Sequence, residues 1–222
     1  VLLFLLVGSL GIVQVPVKTS QVTVPPAQSD AAFWMAEYSD DRGMKYPSNY
    51  VFSDWGWNRM YNYFVNGQSR GYGFAQSNFQ AFVTSSDSAG WYERLGNRGG
   101  FVMTTREVVG SPGTLGTRLH EENGVGLGHY RLVHVTGAGQ YKVFTVVPGA
   151  VIRGTAQPNE TVTATSEVDV GGTSFEYAVR TTASSDGSYA LRVAQPGEYR
   201  VHDETVNVSD AAVRDGETVT TG

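Results

Sequence analysis

Cysteine is absent from the 222-residue chain, which excludes a disulfide framework, a thiolate zinc site and a cysteine nucleophile. Histidine is scarce, and His120, His129, His134 and His202 show no ligand spacing that would build a metal site. Charge is sparse too. Asp, Glu, Lys and Arg make up 17% of the residues, below the roughly 25% of ordinary soluble domains. The net charge of −5 argues against nucleic acid as a partner. Lysine is nearly missing: Lys18, Lys45 and Lys142 are the three among 16 basic residues, a bias that fits a GC-rich or salt-adapted source. No GxGxxG, Walker, HExxH or EF-hand pattern occurs. What is abundant is apolar: 41% hydrophobic and 12% aromatic residues exclude disorder for most of the chain. The length accommodates one large domain or two small ones.

Residues 1–17, VLLFLLVGSLGIVQVPV, are apolar on every face around Leu2 to Leu6, the composition that lipid or a very deep core demands. The run is shorter than the ~20 residues of a full span. It also starts on Val1 without a methionine or a basic lead-in, so it reads as the end of a transmembrane helix rather than a signal peptide. Residues 18–28 read as an extended, Pro-bearing linker.

Residues 29–147 mix two periodicities. A helix capped by Ser29 or Asp30 is expected through Phe33, Trp34 and Glu37, ending near Asp40-Asp41 and Gly43. Tyr50-Val51-Phe52 reads as a buried strand, and Trp57, Met60, Tyr61 and Phe64 recur at helical spacing until Asn66-Gly67. Gly71-Tyr72-Gly73-Phe74 resembles another strand. Helices follow around Phe79 and Phe82 and around Trp91, Tyr92 and Leu95, then a strand at Phe101-Val102-Met103. Such alternation points to an α/β unit. The stretches His129 to Val135 and Tyr141 to Val147 are strand-like, separated by the turn at Gly137 to Gly139. From residue 148 to 207 apolar residues fall at period two, with turns at Ser185-Asp186-Gly187-Ser188 and Pro196-Gly197. That segment reads as a small antiparallel β-sandwich, and 208–222 as a polar tail. The class expected overall is α+β: a mixed α/β domain followed by the sandwich.

Few residues combine into chemistry. Glu121-Glu122 after His120 could form an acid/base pair, but neighbouring helical carboxylates point to different faces, and a solvated helix end is the simpler reading. His129 and His134, five apart in a strand-like run, face opposite sides of a sheet. One cluster stands out. Phe52-Ser53-Asp54-Trp55-Gly56-Trp57-Asn58 places a carboxylate, two indoles and an amide just after a buried strand, where α/β domains hold ligands. The competing reading is that Trp55 and Trp57 anchor the loop while Asp54 caps the next helix. Two Asn-x-Ser/Thr triplets, Asn159-Glu160-Thr161 and Asn207-Val208-Ser209, are candidate glycosylation acceptors.

Three stretches carry a resemblance across residues 29–200. They are Gly126-Leu127-Gly128-His129-Tyr130-Arg131-Leu132-Val133-His134, then Tyr141 through Pro148-Gly149-Ala150, and Phe52-Ser53-Asp54-Trp55-Gly56. In their chain order, with Phe52–Gly56 first and behind the end of a membrane helix, they resemble the soluble C-terminal portion of the archaeal oligosaccharyltransferase catalytic subunit. That family moves a glycan from a lipid-linked donor to asparagine in Asn-x-Ser/Thr, and its Trp-Trp-Asp-Tyr-Gly motif receives the hydroxyl-bearing residue of the acceptor. The resemblance implies a substrate pocket made by Asp54 as hydroxyl acceptor, Trp55 as a wall and Gly56 as the turn. Phe52 and Ser53 stand where two tryptophans are expected. The family's Asp-x-x-Lys helix has no counterpart between Phe101 and Arg118, which passes through Thr104-Thr105-Arg106-Glu107. The implied partners are a lipid-linked oligosaccharide, an acceptor polypeptide and a membrane, in a haloarchaeal cell-surface setting. The implied Mn²⁺ or Mg²⁺ and the catalytic groups belong to the membrane portion, so this chain alone would not transfer a glycan. The alternative is a non-catalytic surface module on the same scaffold, and the β segment has the transthyretin-like texture of an extracellular spacer.

Overall fold

The computed structural model describes residues 24–221; the expected membrane helix over 1–17 lies outside the described residues. Among the described residues, no helix is long and apolar enough to cross a membrane. The architecture is mixed α+β with three sheets.

The first sheet is the centre of a helix–sheet–helix stack. Its strands are β1 (Val51–Phe52), β2 (Phe101–Thr105), β3 (Tyr130–Thr136) and β4 (Tyr141–Val146), in the spatial order β1-β2-β4-β3. β1 runs parallel to β2, with Val51 opposite Phe101; the other pairings are antiparallel. Val51, Phe101, Met103 and Val143 point to one face. There they pack with Ala31, Ala32 and Met35 of α1 (Pro26–Asp41) and with Tyr61 and Val65 of α2 (Trp55–Asn66). Phe52, Val102, Leu132 and Phe144 point to the other face. There they meet α3 (Tyr72–Thr84), α4 (Ser88–Leu95) and α5 (Leu115–His120) through Phe79, Phe82, Trp91 and Leu115. Burial on both faces is why these strands read as continuous apolar runs rather than alternating ones.

Two local expectations are corrected here. The first helix starts at Pro26, not at Ser29 or Asp30; proline suits the first turn because its missing N–H has no partner to lose. Ser29 lies inside the helix, its hydroxyl donating back to the Pro25 carbonyl at 3.3 Å. Gly71 to Phe74 is not a strand: Gly71 precedes α3, which begins at Tyr72. A Cβ on Gly71 would stand 2.6 Å from the Tyr50 ring, and the Tyr50 hydroxyl donates to the Gly71 carbonyl at 2.9 Å. The glycine therefore serves a close approach of ring to backbone.

The second half holds two sheets around one core. One contains β6 (Thr161–Val170), β7 (Thr173–Thr182), β9 (Gly197–Val201) and β10 (Glu204–Val208), the other β5 (Ala150–Thr155), β8 (Ser188–Val193) and β11 (Thr218–Thr220). Val162, Ala164, Tyr177 and Tyr199 from the first sheet pack with Ile152, Leu191 and Val193 from the second. The turn at Ser185 to Ser188 does not close a hairpin; it carries the chain from one sheet to the other, as does Pro196-Gly197. The Asp186 carboxylate holds the first corner by accepting from the Ser188 amide at 3.0 Å and the Ser184 hydroxyl at 2.6 Å. The expected polar tail is also corrected. Ser209 caps α6 (Asp210–Asp215), Val213 is fully buried, and β11 pairs parallel to β5. A strand of three residues with threonine at both ends and Val219 alone packed on the core carries too short a pattern to signal the pairing.

The halves meet where the Tyr177 hydroxyl donates to the Leu127 carbonyl at 2.8 Å and Arg131 pairs with Asp210.

Candidate functional site

The free edge of β1 is closed by side chains rather than by another strand. Asn58, Asn62 and Asn66 recur every fourth residue along α2 and so share one face. Asn62 Oδ1 accepts from the Val51 amide at 3.0 Å while its Nδ2 donates to the Val51 carbonyl at 2.9 Å, as a neighbouring strand would. Asn58 Nδ2 donates to the same carbonyl at 2.8 Å, and Asn66 Nδ2 donates to Asn62 Oδ1 at 3.0 Å. Asn58 and Asn62 are fully buried. This amide ladder fixes the exit of β1 and hence the position of Asp54.

Asp54 caps α2: its Oδ1 accepts from the Gly56 amide at 2.9 Å. Its other oxygen, Oδ2, has no partner among the described residues. Because β1 and β2 are parallel neighbours, their exits lie side by side, which brings Ser53 and Asp54 next to Thr105 and the single 3-10 turn Arg106–Val108. A cavity of about 230 Å³ opens there, with Trp57, Tyr61, Gln28 and Gln140 completing its walls. A second cavity of about 420 Å³ adjoins it through Asp54, Phe79, Thr105, Glu107 and Val108, and extends toward Gly110 and Thr114. The result is a groove passing over the Asp54 carboxylate. Burial pushes the Tyr61 phenol well above the ordinary tyrosine range, so it stays a neutral hydrogen-bonding group.

The expected site residues separate. Phe52 is fully buried, ringed by Phe74, Phe79 and Phe82 at centroid distances of 5.4, 5.2 and 5.3 Å, so it belongs to the core and not to the pocket. Ser53 is buried at the cavity floor, accepting from Asn58 Nδ2 at 3.2 Å. Trp55 is 53% exposed and faces away from the cavity wall; Trp57, at 39%, supplies the indole instead. Gly56 shapes the cap, since a Cβ there would stand 3.1 Å from Asp54 Oδ1. Sequence reasoning missed the second half of the groove, Arg106 to Val108, and the ladder that Asn62 and Asn66 make with Asn58. Their i, i+4 spacing was the available signal. Asn159 and Asn207 lie far along the chain in the second half and both are exposed, as a modification requires.

The other titratable cluster is structural. His120 is buried, accepts or donates at Nδ1 with the Thr104 hydroxyl at 3.1 Å, and is held down to about 4 by burial and by the nearby Lys142 charge. Glu121 and Glu122 are both exposed, as the solvated helix end expected for that pair requires, while His120 before them is buried. Lys142 donates to the His120 carbonyl and to Asn123 Oδ1 at 2.6 Å, and burial lowers its ammonium. His129 and His134 are likewise held low by burial and stack on Tyr92 and Trp34. A neutral buried His120 contributes stability that is present above the unfolded pKa of 6.5 and is lost as pH falls toward 4. The loss is about 3 kcal/mol from this residue. Denaturant titrations at pH 7 and pH 4.5 should show wild type losing more stability than His120→Gln; equal losses would contradict the assignment.

A model of the family described as archaeal glycosylation protein B long peripheral domain matches residues 149–219. Among solved structures, the oligosaccharyltransferase AglB from Archaeoglobus fulgidus, in complex with an inhibitory peptide and a dolichol-phosphate, matches with a TM-score of 0.66. Identity is 14%, over 89% of this chain and 42% of that one. The Archaeoglobus fulgidus oligosaccharyltransferase tethered with an acceptor peptide containing the NVT sequon matches with a TM-score of 0.64 at 13% identity, over 89% and 43%. At such identities the likeness is one of fold. The chain spans less than half the length of these proteins. No curated protein matches it.

Proposed function

We propose that the chain is the acceptor-holding region of an oligosaccharyltransferase-like protein at the external face of the membrane, a reading supported by the match of residues 149–219 to the archaeal glycosylation protein B long peripheral domain. The observation that carries the proposal is the Asp54 carboxylate. One oxygen is spent on the α2 cap, the other is unpartnered, and it stands over a groove lined by Trp57 and Tyr61 at the exits of two parallel strands. In this reading Asp54 Oδ2 accepts the hydroxyl proton of Ser or Thr in an Asn-x-Ser/Thr acceptor. A residue without a hydroxyl would leave the carboxylate unpaired against an apolar group, which is how such a site discriminates. Trp57 supplies the indole wall that Ser53 does not.

Among the described residues, no three His, Asp or Glu side chains stand together to hold an ion, so no step is assigned to Mn²⁺ or Mg²⁺ here. The role derived for this chain is binding and positioning. The test is a titration of a fluorescent Asn-x-Thr peptide into the 222-residue chain in detergent. Asp54→Ala is expected to weaken binding about tenfold, the scale of one hydrogen bond to a charged group. It should also lose about 1 kcal/mol of stability with the cap. Asp54→Asn, which still caps, should keep the stability and show the weaker binding. Equal affinity in wild type and both variants would remove Asp54 from the site.

A further inference from the structure

The groove over Asp54 is electrically lopsided. Of the two cavities along the groove, Arg106 lines the one walled by Gln28 and Gln140, and it also borders a further cavity beside His120 and Lys142. Glu107 borders both cavities, and the one extending toward Gly110 and Thr114 is lined by Asp54 and Glu107 with no lysine or arginine. Arg106 and Glu107 are both exposed, and among the described residues neither takes part in an ion pair. They are neighbours on one tight turn that leaves the end of β2, with Arg106 reaching one arm and Glu107 both. A chain segment lying across Asp54 therefore meets a cation on one side and only carboxylates on the other.

We propose that this charge order makes the groove select the order of charges flanking the acceptor triplet, an acidic side chain seated toward Arg106 and a basic one toward Glu107. The inference rests on the acceptor-holding reading and adds a specificity to it. Three extended residues cover about 10 Å, so side chains three positions either side of the residue at Asp54 fall within the two arms.

The experiment uses two peptides of identical composition containing Asn-x-Thr, one with lysine immediately before the asparagine and glutamate three residues after the threonine, each three positions from the threonine at Asp54, the other with the charges exchanged. Binding to the 222-residue chain is expected to favour one order about fivefold at low salt, as two solvent-exposed charge contacts allow. The preference should vanish at 1 M salt, where the screening length is about 3 Å. The double variant Arg106→Glu/Glu107→Arg changes only exposed side chains and is expected to reverse the preference, while Glu107→Gln should shrink it. Equal binding of both orders, or an unchanged preference in the double variant, overturns the proposal. A matched pair carrying Val for Thr separates the two claims. If it binds as well as the Thr pair with the charge preference intact, the hydroxyl reading fails and the charge order stands. If no peptide binds, both fail.

Discussion

Asn62→Leu is expected to cost about 4 kcal/mol of folding stability, far more than an amide-to-isobutyl change at an ordinary helix position. Asn62 is buried, and its amide satisfies both backbone groups of Val51 on the open edge of the first sheet. The Val51 carbonyl keeps Asn58 as a donor, but the Val51 N–H would be left buried without an acceptor. A buried orphan donor costs roughly 1–3 kcal/mol, and the bonds to Asn58 and Asn66 disappear as well. The variant should also loosen β1, a strand of only two residues, and with it the loop that carries Asp54. Urea unfolding of Asn62→Leu beside Gln76→Leu, at an exposed position of α3, provides the comparison; losses below about 1 kcal/mol at Asn62 would mean that the amide ladder is dispensable.

Phe52→Ala is expected to lose about 4 kcal/mol, the scale of a phenylalanine removed from a packed core. Phe52 is fully buried with three phenyl rings within 5.5 Å and the Trp91 indole at 6.5 Å. The more instructive change is Phe52→Trp, which installs the residue that the family motif has at this place. The core around Phe52 is filled by aromatic rings, so the larger indole must displace them, at about 1–3 kcal/mol. Acceptor binding by a folded Phe52→Trp protein should be unchanged, since the side chain points away from the groove. Improved binding in that variant would return position 52 to the pocket.

The sequence made the central layers legible and much of the site's surroundings invisible. Phe101-Val102-Met103 announced a strand because both faces of the first sheet are covered, so every residue is apolar. Gly67 announced the end of α2 because the left-handed backbone there, φ 69°, suits glycine. Gly71 misled for the converse reason: its glycine answers a contact with Tyr50, a residue 21 positions earlier. Asp54 was identifiable as the residue leaving an apolar strand. Its partners across the groove were not, because Arg106 to Val108 come beside it only through the parallel pairing of Val51 with Phe101, which no local pattern encodes. Trp55 and Trp57 flank the motif equally in the sequence. The pitch of α2 decides between them, turning Trp57 toward the cavity and Trp55 out to solvent. The strand Thr218–Thr220 joined a sheet with a single apolar side chain, Val219, on the core, too short a run for side-chain periodicity to signal.

The most direct test of the role of Asp54 is a double-mutant cycle between the chain and its acceptor. Affinities of Asn-x-Thr and Asn-x-Val peptides would be measured for wild type and for Asp54→Ala, at one ionic strength. If Asp54 accepts the threonine hydroxyl, the change to valine weakens binding to wild type about tenfold and leaves binding to Asp54→Ala almost unchanged. The same threonine-to-valine penalty in both proteins would show that the hydroxyl is read elsewhere and that Asp54 does no more than cap its helix.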